Sequence, residues 1–231
     1  MRNYLSFGGG VNSVAMYLHL KDQGVDFEAC FVDHGTDWPE TYEYVNMFKK
    51  KYPLTVLKPD LGNLYDYCIK YGICPSVQFR WCTDKFKRRP LTAHHEQPCF
   101  VMIGFSSDEA RRAKLSSNNG EEYRYPLIEA GIDRAECKRI IKDHGLPVPM
   151  RSGCYICPFQ RIGQFKQLRT NHPDLFCKAE QLEKHSMEYR AEKGKNPMTL
   201  HPTGKTLKTI IDEKQARLFK EDEYPPCECM L

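Results

Sequence analysis

Residues 3–23 read NYLSFGGGVNSVAMYLHLKDQ, and this stretch decides the fold. An apolar run that ends at Phe7 predicts a buried strand, and the apolar spacing from Ser13 to Gln23 predicts a helix. Three glycines separate the two elements. A strand, a glycine-rich turn and a helix in this order predict the first β-loop-α unit of an α/β domain.

The rest of the chain continues this alternation. Apolar runs predict strands at 27–32, 54–58 and 99–103, and amphipathic spacing predicts helices at 41–52, 64–71 and 84–94. Such alternation is typical of a doubly wound, Rossmann-like parallel sheet. We therefore predict a nucleotide-binding α/β domain over residues 1–150 and a helical, cysteine-bearing extension over residues 151–231.

Two local patterns lie in the second half of the predicted α/β domain. The polar stretch SSNNGEE at 116–122 predicts an exposed loop. Asp133 precedes an amphipathic segment that runs to His144, so we predict that it caps the N terminus of a helix.

The composition favours an intracellular protein over a secreted or membrane protein. The 231 residues carry a formal net charge of +4, and no apolar run is long enough to span a bilayer. Eleven cysteines without an export signal favour metal binding or redox chemistry over structural disulfides. Cys30 and Cys99 lie inside apolar runs, where we expect buried, unreactive side chains. We expect a cytoplasmic protein that has no membrane partner and forms a weakly held homo-oligomer.

The glycine-rich turn is a candidate phosphate site. Glycines let backbone N–H groups approach phosphate oxygens, and the N terminus of the following helix adds positive potential. The turn lacks the lysine of a Walker A loop and the spacing of a GxGxxG fingerprint. The alternative is a tight turn without a ligand. The candidate binding residues are Ser6, Gly8, Gly9, Gly10, Asn12 and Ser13.

This turn resembles the PP-loop of the adenine-nucleotide α-hydrolase-like superfamily, whose pattern is SGGxDS. Gly9, Gly10 and Ser13 match the pattern, whereas Gly8 and Asn12 stand where the first serine and the aspartate would be. The resemblance implies an adenine nucleotide, either ATP or phosphoadenosine phosphosulfate (PAPS), with Mg²⁺ as a further ligand. Without the aspartate one potential Mg²⁺ ligand is missing, but phosphate or sulfate binding survives the change.

The end of the second predicted strand carries a second candidate motif. Residues 31–41 read FVDHGTDWPET and resemble the second motif of the PAPS reductase family, with His34 in place of a threonine. The resemblance implies adenosine or ribose contacts from Asp33 and Gly35. The alternative is an ordinary strand-to-helix loop in which Asp33 caps backbone groups.

A third motif follows the strand predicted at 99–103. Residues 104–112 are similar to the Gly-x-Arg-x-x-Glu-x-x-Arg segment of the PAPS reductase family. The resemblance adds Gly104 to the nucleotide site. We predict Arg111 as the catalytic anion clamp, because a guanidinium offers a planar fork for phosphate or sulfate oxygens.

Cysteines predict a metal centre. Cys154 and Cys157 have C-x2-C spacing and supply half of a site for one ion or one cluster edge. Iron–sulfur members of the PAPS reductase family pair a later CxxC with a cysteine in the segment that contains Cys82 here, so the resemblance implies a [4Fe–4S] cluster. Zinc and a thioredoxin-like redox pair are the alternatives. The fourth ligand is left open among Cys227, Cys229, Cys74, Cys177 and a non-protein ligand.

The C-terminal segment Glu228-Cys229-Met230 partly resembles the Glu-Cys-Gly tail of sulfonucleotide reductases, whose cysteine attacks the sulfate sulfur. Cys229 is therefore a candidate nucleophile as well as a candidate metal ligand, and a role as bystander stays open.

Three functions follow from these resemblances. The first is a PAPS reductase-like enzyme that reduces an adenylylated sulfate with a reductant protein as partner. The second is an ATP-dependent sulfurtransferase that adenylates a nucleic acid or a small molecule, releases pyrophosphate and uses a sulfur donor. The third is a non-catalytic nucleotide- or nucleic-acid-binding module with a structural metal.

Overall fold

The computed structural model describes residues 1–113, 117–118 and 120–212. Its centre is a six-stranded sheet of order β3-β2-β1-β4-β6-β5. The strands are β1 (Arg2–Ser6), β2 (Glu28–Val32), β3 (Thr55–Leu57), β4 (Cys99–Ile103), β5 (Ser117–Asn118) and β6 (Glu121–Arg124). Five strands are parallel, and β5 pairs with β6 in the antiparallel direction at one edge. The predicted parallel α/β sheet is confirmed.

The described residues form ten α-helices. They are α1 (Val11–Asp22), α2 (Pro39–Lys49), α3 (Leu64–Tyr71), α4 (Trp81–Thr83), α5 (Arg89–His94), α6 (Pro126–Glu129), α7 (Arg134–Asp143), α8 (Ile162–Asn171), α9 (Pro173–Glu192) and α10 (Leu207–Asp212). A π-helical stretch, Asp84–Arg88, joins α4 to α5. Asp133 caps α7 as predicted, because its carboxylate accepts the N–H of Glu136 at 2.8 Å. Within the described residues, no helix combines the length and the apolar character that crossing a membrane requires.

The two faces of the sheet are buried in different cores. Successive strand residues point to opposite faces, so Leu5 and Phe31 pack with α1, α2 and α7 on one side. Tyr4 and Val101 belong to the core on the other side, against which Leu91 of α5 packs. Helices on both faces make the sheet doubly wound.

Cys30 and Cys99 are buried in the second of these cores, as predicted. Burial raises the pKa of the Cys30 thiol to about 12, and the nearby Glu28 carboxylate adds to the shift. A thiol with such a pKa stays protonated and unreactive at neutral pH.

The C-terminal helices share a third core with earlier segments. Ile156, Phe165 and Leu182 pack in one cluster with Leu64 of α3 and Phe86 of the π-helical stretch. The CxxC turn is thereby held close to the edge of the sheet. The division into domains near residue 150 stays a prediction.

The strand order also decides where ligands bind. The chain runs from β1 outward through β2 to β3 on one side and then crosses back to β4 on the other side of β1, so the strand order reverses between β1 and β4. Polar loops that follow β1, β2 and β4 therefore meet at the carboxyl edge, which is where open α/β sheets bind ligands.

Glu183 of α9 is a buried carboxylate that makes the stability of the helical region depend on pH. It accepts the backbone N–H groups of Leu200 and Leu207 at 2.9 and 2.8 Å, but burial raises its pKa from the ordinary 4.5 to about 7. Between these two pH values the folded protein holds a proton that the unfolded chain has lost. Stability is therefore greatest below this window and falls by about 2 to 3 kcal/mol as the pH rises through it.

We expect Glu183→Gln to reduce the difference in unfolding free energy between pH 5 and pH 8, measured by denaturant titration. Glu188→Gln, at an exposed position of the same helix, is the control and should keep the parental difference. An unchanged pH dependence in Glu183→Gln would contradict the prediction.

Candidate nucleotide and metal site

Ser13 closes the turn between β1 and α1. Its hydroxyl donates to the carbonyl oxygen of Gly10 at 3.1 Å and accepts the backbone N–H of Gly8 at 3.2 Å. Gly9 lies between them with a φ of 68°, in the left-handed region where a residue with a Cβ atom is strained. Gly10 has no side chain that could cap the first N–H groups of α1. These groups are therefore available to an anion, and the helix end adds positive potential.

Close packing fixes the position of this turn. A Cβ atom on Gly10 would lie 2.6 Å from the hydroxyl of Ser152. A Cβ atom on Gly104, which follows β4, would lie 3.1 Å from the backbone nitrogen of Ser13 and 3.2 Å from the carbonyl carbon of Asn12. Glycine at both positions lets the backbone of three loops approach closely.

A cavity with an empty volume of about 540 Å³, open to solvent, adjoins the turn. We call it the loop cavity. The polar side chains around it come from Asn12, Ser13, Glu109, Arg112, Arg134, Arg151 and Ser152. Three guanidinium groups beside a helix N terminus suit a phosphate or sulfate group.

Asn12 connects the side chains of the loop cavity. Its amide nitrogen donates to Oε2 of Glu109 at 2.6 Å and to the Ser106 hydroxyl at 3.1 Å. Its amide oxygen accepts Nη1 of Arg134 at 3.2 Å, and Glu109 in turn pairs with Arg112. The cavity thus contains a carboxylate, although it comes from residue 109 and not from residue 12.

A second cavity, with an empty volume of about 900 Å³, lies between the sheet and the helical segment that includes α5. We call it the sheet-face cavity. It shares Gly8 and Ser152 with the loop cavity. Apolar strand residues such as Cys30, Val101 and Ile103 line its sheet side, which suits the flat ring of a ligand, and the helical side adds the charged residues Lys87 and Arg88.

Cys82, Cys154 and Cys157 line a third, smaller cavity, which we call the cysteine cavity. Its lining also includes Thr83 and Lys87, and both of these residues line the sheet-face cavity as well. The fold therefore brings three of the four predicted metal ligands to one cavity, directly beside the larger one, and the fourth, Cys229, lies outside the described residues.

Backbone hydrogen bonds hold the CxxC turn against the loop that follows β2. Trp38 donates to the carbonyl oxygen of Gly153 at 3.1 Å, and Tyr155 donates to that of Thr36 at 2.9 Å. Within the turn, the backbone N–H of Cys157 donates to the carbonyl oxygen of Cys154 at 3.2 Å.

Buried polar groups surround the Cys154 thiol. Burial raises its pKa, while the nearby Lys87 ammonium and a hydrogen bond from the Thr36 hydroxyl, at 3.4 Å, favour the thiolate. Nε2 of His34 lies 3.9 Å from the sulfur and 3.4 Å from Oδ2 of Asp37. Burial lowers the pKa of His34, so its imidazole is held in the neutral form that binds metals.

The spacing of these donors distinguishes two kinds of metal centre. Tetrahedral bonds of 2.3 Å place two thiolates of one zinc ion roughly 3.8 Å apart. Among the described residues, the groups of ligand atoms that all lie within 4.8 Å of one another include His34, Asp37 and Cys154 but not the three cysteines of the cysteine cavity. The three cysteines are therefore too far apart to bind one tetrahedral ion together, whereas the His34 group is close enough for a single ion. Cys154 belongs to both.

A family model described as the phosphoadenosine phosphosulfate reductase domain matches residues 2–130, more than half of the chain. The chain belongs to this family. The matched region contains β1 to β6 and the loop cavity's glycine-rich turn. The CxxC lies beyond it.

Two proteins from Methanocaldococcus jannaschii are similar to this chain. The uncharacterized protein MJ0973 is 26% identical over 193 residues, which cover 75% of this chain and 45% of the relative. The uncharacterized protein MJ0066 is 23% identical over 209 residues, which cover 79% of this chain and 42% of the relative. The chain spans less than half the length of either relative.

A solved structure supports the fold. The crystal structure of phosphoadenylyl-sulfate (PAPS) reductase from Candida auris, in a phosphate complex, matches with a TM-score of 0.51 and 18% identity. The match covers 64% of this chain and 75% of the other. At this identity the likeness shows that the two share a fold.

Most of the predicted nucleotide-binding residues line the two larger cavities. Gly8, Gly10, Asn12, Ser13 and Gly104 line the loop cavity, and Ser6 lines the sheet-face cavity. Gly9 belongs to the same turn but lines neither cavity. An added Cβ atom there would meet Val45 and Thr41 of α2 at 3.1 and 3.2 Å. Their role in nucleotide binding is a proposal.

Asp33 and Gly35 lie beside these cavities without lining them. The Asp33 carboxylate accepts the N–H of Gly35 at 3.0 Å and the Tyr42 hydroxyl at 2.9 Å. Gly35 packs against Asn63, which donates to its carbonyl oxygen at 3.2 Å. These contacts are those of a capped strand-to-helix loop, and an adenosine contact from Asp33 or Gly35 stays a prediction.

The sequence predicts Arg111 as the anion clamp, but the guanidinium of this segment that lines the loop cavity belongs to Arg112. Arg111 is exposed. Arg112 stacks over the Phe105 ring, 4.3 Å from its centroid, and pairs with Glu109. The three-residue spacing from Glu109 to Arg112 is the signal that selects it. Arg134 and Arg151 carry no comparable signal.

We expect Arg112→Ala to weaken the binding of PAPS at least about tenfold, because it removes a charge-assisted hydrogen bond to an anionic group. Isothermal titration calorimetry measures the effect. Arg111→Ala is the matched control, with the same loss of charge one residue away at an exposed position, and we expect less than about a threefold change. A larger loss in Arg111→Ala would instead support the original assignment of Arg111 as the clamp.

The candidates for a fourth metal ligand are scattered. The Cys74 thiol is buried and donates to the carbonyl oxygen of Met198 at 3.7 Å, whereas Cys177 is exposed on α9. Cys227 and Cys229 lie outside the described residues. The sequence interpretation missed Cys68, whose buried thiol lies close enough to Cys74, Cys82 and Cys154 for each to raise its pKa further.

Proposed function

We propose that the chain is an iron–sulfur enzyme of sulfur metabolism that binds an adenine nucleotide and reduces an adenylylated sulfate. The observation that carries the proposal is the contact between three cavities. Gly8 and Ser152 belong to both the loop cavity and the sheet-face cavity, and Thr83 and Lys87 to both the sheet-face cavity and the cysteine cavity. One nucleotide would therefore lie between an anion site and a metal site.

The chain's residues would divide the work of binding. The amides at the start of α1 and the guanidinium groups of the loop cavity would hold the anionic tail, and the sheet-face cavity would exclude water from the nucleoside. Cys82, Cys154 and Cys157 would hold the cluster, with the fourth position still to be assigned. The cluster would supply local electrostatic tuning of the bound sulfate.

The reduction itself would need a thiolate and a dithiol. In this proposal the Cys229 thiolate attacks the sulfur of the sulfate group, the sulfur–oxygen bond to the nucleotide phosphate breaks, and the nucleotide leaves with the electron pair. One thiolate of a dithiol reductant protein then attacks the Cys229 sulfur, and sulfite leaves with the electron pair. The second thiolate attacks the resulting mixed disulfide, the Cys229 thiolate leaves, and the dithiol ends as a disulfide.

One observation favours a second function, an ATP-dependent adenylating sulfurtransferase. The loss of the PP-loop aspartate at position 12 speaks against Mg²⁺-assisted ATP chemistry, but Glu109 places a carboxylate 2.6 Å from the Asn12 amide nitrogen. Carboxylates are ligands that Mg²⁺ uses together with phosphate oxygens. To act in this way, Glu109 would have to exchange its ion pair with Arg112 for the metal.

The decisive experiment incubates the anaerobically reconstituted protein with PAPS and a dithiol, and separately with ATP and Mg²⁺. Sulfite from PAPS supports the reductase, and Cys229→Ser should then abolish it. Pyrophosphate from ATP without sulfite from PAPS refutes the reductase and supports the sulfurtransferase. A colourless zinc protein that yields neither product supports the binding module.

A further inference from the structure

A pair of buried polar side chains lies at the deep end of the sheet-face cavity. Glu121 of β6 and His95, directly after α5, are 4% and 8% exposed, and both line the cavity. Nδ1 of His95 lies 2.7 Å from Oε1 of Glu121, and the Tyr4 ring stacks on the imidazole with centroids 4.2 Å apart. The 2.7 Å distance is that of a direct hydrogen bond. With the Cys99 thiol, the two side chains also form a group whose ligand atoms lie within 4.8 Å of one another. In this structure the pair is a fixed polar floor.

The register of the sheet gives the depth of this floor. Glu121 pairs with Cys99, four residues before Ile103 at the carboxyl end of β4. At about 3.3 Å per residue, Glu121 lies about 13 Å below the carboxyl edge. Gly8 of the phosphate loop lines the other end of the same cavity. A nucleotide whose phosphates are held at the loop would thus extend its base toward Glu121.

The walls between these two ends suit a flat, apolar ring. Cys30, Val32 and Val101 line the sheet side, and Leu91 of α5 lines the helix side. Pockets of this kind bind by apolar contact, and a few buried polar groups decide which ligand fits. Here the buried polar pair Glu121 and His95 lies at the floor.

Glu121 has acceptor capacity left for a ligand. Its Oε1 receives the His95 ring, and its Oε2 receives the Tyr123 hydroxyl at 3.5 Å, a long contact. Each oxygen of a carboxylate accepts two hydrogen bonds and donates none. Such a floor attracts an exocyclic amino group and repels a carbonyl oxygen at the same position of the ring.

We propose that Glu121, held in place by His95, reads the 6-amino group of adenine and excludes 6-oxo purines. This proposal rests on the proposed nucleotide function, because it takes the phosphates to lie at the glycine-rich loop. Glu121 is in that case a specificity-determining residue.

Calorimetric titration with ATP and with ITP tests the proposal, because the two nucleotides differ at position 6 of the base. We expect the parent to bind ATP at least about tenfold more tightly than ITP, as sites that hydrogen-bond a ligand group reject analogues that lack it. In Glu121→Gln, Oε1 still accepts the His95 ring, and the new amide N–H₂ donates to a 6-oxo group. The ratio should therefore fall below about threefold or reverse.

Glu122→Gln is the control, because Glu122 is the exposed neighbour on the other face of β6 and pairs with Arg124. It should keep the parental ratio. Equal binding of ATP and ITP by the parent, or a parental ratio in Glu121→Gln, refutes the role of Glu121 alone. Failure of the parent to bind either nucleotide refutes the proposed function together with this inference. Should Glu121→Gln not fold, as judged by circular dichroism, the parental ratio decides.

Discussion

Replacing Cys157 with serine is expected to remove the proposed iron–sulfur cluster, with iron and acid-labile sulfide falling at least about tenfold per chain. Three of the residues that line the cysteine cavity are cysteines, and the substitution replaces one thiol by a hydroxyl, which is a much weaker iron ligand. We expect the same result for Cys82→Ser and Cys154→Ser. Metal and sulfide analysis after anaerobic reconstitution, together with the loss of a visible absorbance that dithionite bleaches, measures the effect.

Cys137→Ala is the matched control, because Cys137 is equally buried but packs in the core between α1 and α7. It should keep full iron content. Retention of iron in all three serine variants would contradict the prediction. A protein that instead holds one zinc ion, lost in both His34→Asn and Cys154→Ser but kept in Cys82→Ser, would assign the metal to the His34 group.

The fold was predictable because its signals are local. The glycine turn between an apolar run and a helix, the alternation that follows, and the N-cap at Asp133 each lie within a few residues of sequence. The parallel sheet then follows from the alternation of strands and helices. Short segments contain this information because local backbone propensities determine where each strand, turn and helix forms.

The strand β6 shows where such reasoning fails. Residues 116–122 predict an exposed loop, yet Glu121–Arg124 is a strand beside β4, and Glu121 is buried. Its sequence, EEYR, contains no apolar alternation. Hydrogen bonds from β4 and the buried contact between Glu121 and His95 fix this strand, and these are tertiary effects. For the same reason, the sequence did not predict that Glu121 and His95 form the floor of the sheet-face cavity.

The site was predictable in part. The PP-loop glycines and the three cysteines stand in motifs, and the structure gathers them at neighbouring cavities. Arg134, Arg151 and Cys68 come from segments without a motif, and only the folded chain brings them to these cavities or near these thiols. Cys229 and Cys227 lie outside the described residues, so the tail's role stays a prediction.

Gly9→Ala is expected to weaken the binding of adenine nucleotides at least about tenfold and to lower stability by about 1 to 2 kcal/mol. The φ of 68° strains any residue with a Cβ atom, and the new methyl would lie 3.1 Å from Val45 and 3.2 Å from Thr41. We expect the turn to relieve the strain and the tight contacts by moving away from α2. The amides at Gly10 and at the start of α1 would move with it, and each charge-assisted hydrogen bond to phosphate that is lost costs about 1.5 to 3 kcal/mol.

Gly24→Ala is the control that separates the effect of backbone strain on stability from the effect on the phosphate site. Gly24 has nearly the same φ, 70°, but an added Cβ atom there meets nothing within 4 Å, and the residue lies after α1 at the opposite end from the phosphate loop. We expect a similar loss of stability in denaturant titration and an unchanged affinity for ATP in calorimetry. If Gly9→Ala loses stability as expected but binds ATP as the parent does, the result argues against phosphate binding by the loop amides.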